Sequence, residues 1–231
     1  MHARCLALAA ALSLSPGCII AIDGDGVHGY SFDHDDDTLR GSGLMASESR
    51  SLPDFERVET NCSADVSIRV GSATSLLVSG DDNLLKHLRT EVRDGTLVIE
   101  MEQGSYSPRI ALKVAATTPA LRALSIRGSS DVEVQDLAGD LFSVEISGSG
   151  DAHGSGSVGR LEAGVAGSGD VNFASVEARE ASVQISGSGD VEVSATDSLS
   201  ASIAGSGDVR YKGEPKVTKS IAGSGRVTRK Q

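Results

Sequence analysis

Through its second half the chain alternates apolar and polar residues, and the alternation breaks at a recurring glycine-rich phrase. Val144 and Ile146 lead into one break, Val183 and Ile185 into another, and Leu199, Ala201 and Ile203 into a third. Val132 and Val134, Val171 and Phe173, Val191 and Val193, and Val209 and Tyr211 follow such breaks. A period of two places each set on one face of a strand. The breaks read Gly128-Ser129-Ser130-Asp131, Gly148-Ser149-Gly150-Asp151, Gly167-Ser168-Gly169-Asp170, Gly187-Ser188-Gly189-Asp190, Gly205-Ser206-Gly207-Asp208 and Gly223-Ser224-Gly225-Arg226. Their first glycines are 20, 19, 20, 18 and 18 residues apart. Strands on both sides of a glycine corner, repeating near twenty residues, predict coils stacked one on the next. The predicted fold is all-β, a parallel β-helix with coils of about 18–20 residues and an expected right-handed winding.

Ahead of the repeats the pattern is less regular. Val66, Ile68 and Val70 alternate with polar residues, and Cys62-Ser63-Ala64-Asp65-Val66 matches the later phrase at Ser, Asp and Val, as a worn first copy would. Leu76 to Val78 reads as a short strand and Asn83 to Leu88 as a helical turn. Thr90 to Val92 and Thr96 to Ile99 flank Asp94-Gly95, a pair that favours the type I′ turn of a β-hairpin. A strand from Ile110 through Val114 ends by Pro119, which has no amide hydrogen for a ladder.

The first residues differ in kind. His2 and Arg4 precede an apolar run from Cys5 to Leu14 that is too short to span a bilayer, so residues 1–17 read as a signal peptide. Leu14-Ser15-Pro16-Gly17-Cys18 resembles a bacterial lipobox, which implies lipidation of Cys18 and a membrane contact through that lipid alone. Residues 18–50 carry Asp23, Asp25, Asp33, Asp35, Asp36 and Asp37 among glycines and read as a flexible acidic linker. Asp33 to Asp37 suits a solvated spacer better than a cation loop, because it lacks the spacing of an EF-hand. The β-solenoid is expected over 51–231, with coils and a hairpin over 51–120 and the glycine repeats over 121–231.

Composition narrows the function. A net charge of −11 argues against nucleic acid, which requires clustered Lys and Arg. There are 27 glycines but only four Phe, three Tyr and no Trp, so stacking platforms for sugars are scarce. Once Cys5 leaves with the signal and Cys18 is lipidated, Cys62 has no partner and reads as a small apolar residue.

Several pieces together resemble the bacterial GIN domain, a family named for the head of an autotransporter adhesin. They are the Asn83-Leu84-Leu85 turn, Asp94-Gly95-Thr96-Leu97-Val98-Ile99, Thr118-Pro119-Ala120-Leu121, the glycine-aspartate coils, and the ending from Tyr211-Lys212-Gly213-Glu214-Pro215 to Gly223-Ser224-Gly225. The resemblance covers Leu52 to Gln231. It implies a β-solenoid on secreted or lipid-anchored bacterial proteins, with no established enzymatic activity.

The candidate chemistry lies in the repeats. Stacking would align Asp131, Asp151, Asp170, Asp190 and Asp208 in one column, either as a cation ladder or as caps on amides of their own glycine turns. Arg226 would close the column by pairing with Asp208. Ala152, His153, Gly154 and Gly156 make one coil thin, as a subunit contact or a locally narrow coil would. Lys219 falls in an inward slot between Val217 and Ile221, so the last coil is expected to be open or covered by another chain. No cofactor and no metal is expected.

The main functional expectation is a non-enzymatic lipoprotein of the cell envelope, in a Gram-negative cell on the outer membrane. Its partner would be a protein or polysaccharide, and the thin coil would be the contact of a homo-oligomer. The alternative is a β-helix enzyme acting on acidic polysaccharide. That chemistry needs clustered acids with Lys or Arg, whereas the acids here are spread one per coil. A periplasmic assembly factor is a third reading.

Overall fold

The computed structural model describes residues 18–23, 26–31 and 38–230, and the expected signal peptide lies outside them. The chain forms two units, 1–37 and 38–231. In the first, β1 (Cys18–Asp23) pairs antiparallel with β2 (Gly26–Ser31), Ile22 opposite Val27. Isoleucines at 19, 20 and 22 supply the β-branched content that favours this pairing. The Asp33 to Asp37 cluster lies outside the described residues.

The second unit contains β3 (Leu39–Arg40), β4 (Met45–Ser49), β5 (Arg57–Asn61), β6 (Asp65–Val70), β7 (Ser75–Asp81) and α1 (Asp82–Leu85). Next come β8 (Leu88–Arg93), β9 (Thr96–Met101), β10 (Tyr106–Ser107), β11 (Lys113–Thr118) and β12 (Ala123–Gly128). The repeats give β13 (Val132–Gly148), β14 (Ala152–Gly167), β15 (Val171–Gly187) and β16 (Val191–Gly205), and the chain ends in β17 (Val209–Lys212), β18 (Lys216–Gly223) and β19 (Val227–Arg229). This is the expected β-solenoid. Each of β13 to β16 is one bent strand that runs from one glycine phrase to the next.

Two parallel stacks form its main walls. The first runs β9-β5-β12-β13-β14-β15-β16-β18, and the second runs β11-β6-β13-β14-β15-β16, then β17 and β19. Inward side chains line up in columns: Phe142, Leu161, Ala181 and Leu199 form one, and Ile146, Val165, Ile185 and Ile203 another, all buried. At one end β8 covers β9 antiparallel through the Asp94-Gly95 turn, whose residues both have positive φ, as expected for type I′. On the other wall β7 covers β11 and β4 covers β7, both antiparallel.

The order of the first coils departs from their order in the sequence. The coil β9–β11 lies outside the coil β5–β6, and the chain then crosses to β12 on the far side of β5. Cys62 does stack beneath the first full phrase, as expected of a worn copy, with the Ser129 amide donating to its carbonyl at 3.3 Å. Ser130 replaces the inward glycine of later copies because its hydroxyl has work there: it bonds Thr60 Oγ1 at 2.7 Å and the Cys62 carbonyl at 2.9 Å. Thr60 sits beside Ile126 in the column, so the pair satisfies two buried hydroxyls at once. Cys62 is half-buried beside them.

The expectation of an unstructured segment through Arg50 is corrected: this unit is ordered from Thr38. The cause is a clamp at the start of α1. The buried Asp81 carboxylate accepts the amides of Gly43 at 2.7 Å and of Arg109 and Ile110 at 2.9 Å. The Ser42 hydroxyl donates to Asp82, while Asn83 accepts the Ser42 amide and donates to the Arg40 carbonyl. These bonds hold β3 against β10 and set β4 on the edge of β7.

The thin coil has an internal explanation. Ala152 is fully buried between Val132 and Val171, and a Cβ on Gly154 would lie 2.6 Å from the Phe173 ring. Phe173 occupies that space and packs against Phe142, their ring centroids 5.7 Å apart. Gly156 belongs to a corner, with φ +135° and the Leu137 carbonyl 2.3 Å from where its Cβ would stand. The missing volume of one coil is thus filled by a neighbour's ring.

Two outcomes follow from these contacts. Gly154→Ala should destabilise the protein by about 1–3 kcal/mol in urea unfolding through overpacking, and Phe173→Leu in the same chain should reduce that cost. Ile110, with Gly43 and Arg109, holds the Asp81 carboxyl below its ordinary 3.8 by amide hydrogen bonding. A lowered folded value means stability present above pH 3.8 that is lost as pH falls through the folded value. Asp81→Asn should therefore lower the thermal midpoint at neutral pH, and the gap from wild type should close in strong acid.

Candidate functional site

The glycine corners bring the predicted aspartates into one column. Gly167 has φ +146°, and a Cβ there would stand 2.2 Å from the Gly148 carbonyl, so only glycine permits this approach. The close approach lets the Ser168 amide donate to the Gly148 carbonyl at 3.0 Å, and each later corner repeats the bond. The aspartates complete the lock. Asp151 Oδ1 accepts the Asp170 amide at 2.8 Å, Asp170 Oδ1 that of Asp190 at 2.7 Å, and Asp190 Oδ1 that of Asp208 at 2.8 Å. Asp131 makes a longer bond of 3.3 Å to the Asp151 amide.

Turn-capping was expected within each aspartate's own turn, and here the structure corrects the detail: the donor comes from the next coil. Amides of the same turn already donate to the preceding coil, while the aspartate carbonyl accepts from it, as Asp151 does from Val132. Arg226 ends the column as expected, its amide on Asp208 Oδ1 at 2.9 Å and its guanidinium 3.2 Å from Oδ2. Arg210 also reaches Asp190 at 3.0 Å. The Arg226 bond holds the Asp208 carboxyl below its ordinary value, with Arg210 adding to the effect. Among the described residues no three His, Cys, Asp or Glu converge as a metal cage requires.

The column begins at a groove. On the outer side of the second wall Ala115 lies between Leu77 and Ser67, and Glu133 lies between Ser67 and His153. The small side chains of Ala115 and Ser67 make a low floor. Leu77 stands beside it 44% exposed, although it is a large apolar residue. One hollow of about 430 Å³ is rimmed by Asp65, Lys113, Asp131, Glu133 and His153, and a second of about 460 Å³ by Arg69, Ser75, Thr117 and Gln135. Leu77 and Ser67 line both.

Of the predicted site residues, the groove unites Asp131 and His153. Asp151, Asp170, Asp190 and Asp208 continue along the rod away from it, and Ala152, Gly154 and Gly156 serve the interior. Cys18 opens β1 in the other unit. Sequence reasoning missed Leu77, Ser67, Lys113 and Ala115. One signal was present: Leu76-Leu77-Val78 puts three apolar residues in a row on a strand, and period two sends the middle one outward.

The family described as "Putative auto-transporter adhesin, head GIN domain" matches residues 54–215. The chain belongs to this family. Among solved structures, a "putative adhesin" from Bacteroides fragilis NCTC 9343 is similar at TM-score 0.69 with 20% identity, over 83% of this chain and 100% of that one. A "Putative lipid binding protein" from Parabacteroides distasonis ATCC 8503 is similar at TM-score 0.56 with 27% identity, over 84% of this chain and 100% of that one. No curated protein matches the chain. The GIN domain family is described by adhesion rather than by a reaction, and that description suggests a surface or exported protein.

If the aspartates lock coils together, Asp170→Ala should cost about 1 kcal/mol in urea unfolding, and Asp170→Asn, which keeps an oxygen acceptor, should cost less. Millimolar calcium should leave the midpoint of the wild-type protein unchanged, whereas a cation ladder would raise it.

Proposed function

We propose that this GIN domain protein is an exported, non-enzymatic binding protein of the bacterial cell envelope, tethered by a lipid on Cys18. Its partner is a protein or polymer that rests in the groove around Leu77. The observation that carries this reading is Leu77 itself. Folding leaves its apolar side chain in water above a floor of small residues, and charged side chains of both signs ring the floor. A hollow with an apolar lining and a polar rim has the form of an interaction site, and Leu77 shares this one with Val66, Val114, Ala115 and Val132. The long parallel walls support the reading as well, since a stacked sheet holds the groove rigid without help from a ligand.

Lipid anchoring rests on the lipobox-like Leu14 to Cys18. Cells given a clickable palmitate analogue should label the wild-type protein, and Cys18→Ser should lose the label and leave the membrane fraction. A photo-crosslinking residue in place of Leu77 should capture an envelope partner, while the same group in place of Ser202, on the other wall, should not. Leu77→Asp should weaken that capture about tenfold, the loss expected for one buried leucine. Equal capture from both positions would defeat the groove as the contact. A fatty acid held at position 77 instead would redirect the reading to lipid binding, in line with the Parabacteroides neighbour's description.

A further inference from the structure

The two ends of the rod are finished differently. At the first end the edge strands are antiparallel to their neighbours, β8 on β9 and β4 on β7, which in turn lies on β11. At the other end β18 pairs with β16 alone and β19 with β17 alone, so both leave an edge of backbone groups unpaired among the described residues. The inward columns run out at this edge. Val217, Lys219 and Ile221 stand in register with Leu199, Ala201 and Ile203, which are 1%, 2% and 1% exposed. With no coil above them among the described residues, Lys219 is exposed and Ile221 is 39% exposed. The open edge thus offers an apolar, cationic, apolar row on strand spacing.

Charge separates this end from the rest of the protein. Residues 209–231 hold seven Lys and Arg against one Glu, in a chain whose net charge is −11. Arg210, Arg226, Arg229 and Lys230 are matched with Asp190, Asp208, Glu214 and Glu192. Lys216 and Lys219, both on β18, have no carboxylate within ion-pair distance among the described residues. A second copy fits poorly. Edge-to-edge pairing of two β18 strands centred on Lys219 would set the two copies of that lysine against one another, and like charges across a strand pair are destabilising. Head-to-tail stacking would set β18 against the edge strand β8, whose inward row of Leu88, Thr90 and Val92 offers Lys219 no carboxylate. An inward-pointing charge is also a known means of blocking self-association at a sheet edge.

We propose that β18 is an acceptor edge for an extended acidic segment of another protein, which adds one more strand to the first wall. The backbone groups of β18 supply the pairing, and two apolar side chains of the incoming strand cover Val217 and Ile221. A carboxylate between them meets Lys219, so the lysine that opposes a second copy selects the partner. This surface is separate from the groove at Leu77 and does not depend on it.

The test uses the purified chain and a fluorescein-labelled peptide, Thr-Val-Ser-Glu-Ser-Ile-Thr-Gly, with its Glu→Lys counterpart. Fluorescence anisotropy should show binding of the acidic peptide, weaker by about tenfold in Lys219→Glu, and preference for the basic peptide in that variant. Reversal of preference cannot arise from loss of fold, and unchanged circular dichroism of the variant checks this directly. Equal binding of both peptides, or none at millimolar concentration, would overturn the proposal. Binding to phosphatidylglycerol vesicles without peptide binding would overturn it too, and would assign the basic end to a lipid surface.

Discussion

The solenoid depends on how closely one glycine corner can lie on another. In each corner a carbonyl sits about where the Cβ of the next coil would be, as the 2.2 Å distance at Gly167 shows. That approach brings two amides of each turn within reach of the coil before it, one on a glycine carbonyl and one on an aspartate carboxylate. The carboxylates come into line as a consequence. Unit charges one coil apart, ~4.8 Å, repel by roughly 0.9 kcal/mol in water. A hydrogen bond to a charged acceptor contributes about 1.5–3 kcal/mol. The bond outweighs the repulsion, and Arg210 and Arg226 offset part of what remains.

The interior obeys a second constraint, that volume is conserved across coils rather than within each. Gly154 cedes its space to Phe173, which then meets Phe142 from two coils away. Thr60 and Ser130 show the same exchange in polar form, each hydroxyl answering the other across the stack. Substitutions in one coil are therefore felt through its neighbours, as close packing requires.

Much of this was legible in the sequence because the repeat writes the same physics several times. Val183, Ile185 and their equivalents fixed the inward face, and the glycine phrases fixed the corners. Asp94-Gly95 announced its hairpin, and Cys62 to Val66 its place beneath Gly128. Local patterns could not show which coil a strand would join, so the outer position of β9 and β11 was hidden. The early start of order was hidden for a similar reason. Residues 38–44 have little apolar content, and they are held by Asp81, Asp82 and Asn83, some forty residues away in sequence for most of these bonds. The groove escaped notice because it arises from three strands meeting, with only Leu77 leaving a trace in the alternation.

The exchanged order of the first two coils bears on how the molecule can assemble. β5 and β6 are flanked on one side by β9 and β11 and on the other by β12 and β13, all of them later in the chain. The rod therefore does not grow in one direction from its amino-terminal coil, because β9 and β11 add to one side of β5 and β6, and β12 and β13 to the other. Bringing β11 onto β6 closes a loop of more than forty residues, from Val70 to Lys113, a slower step than the short connections between the later turns.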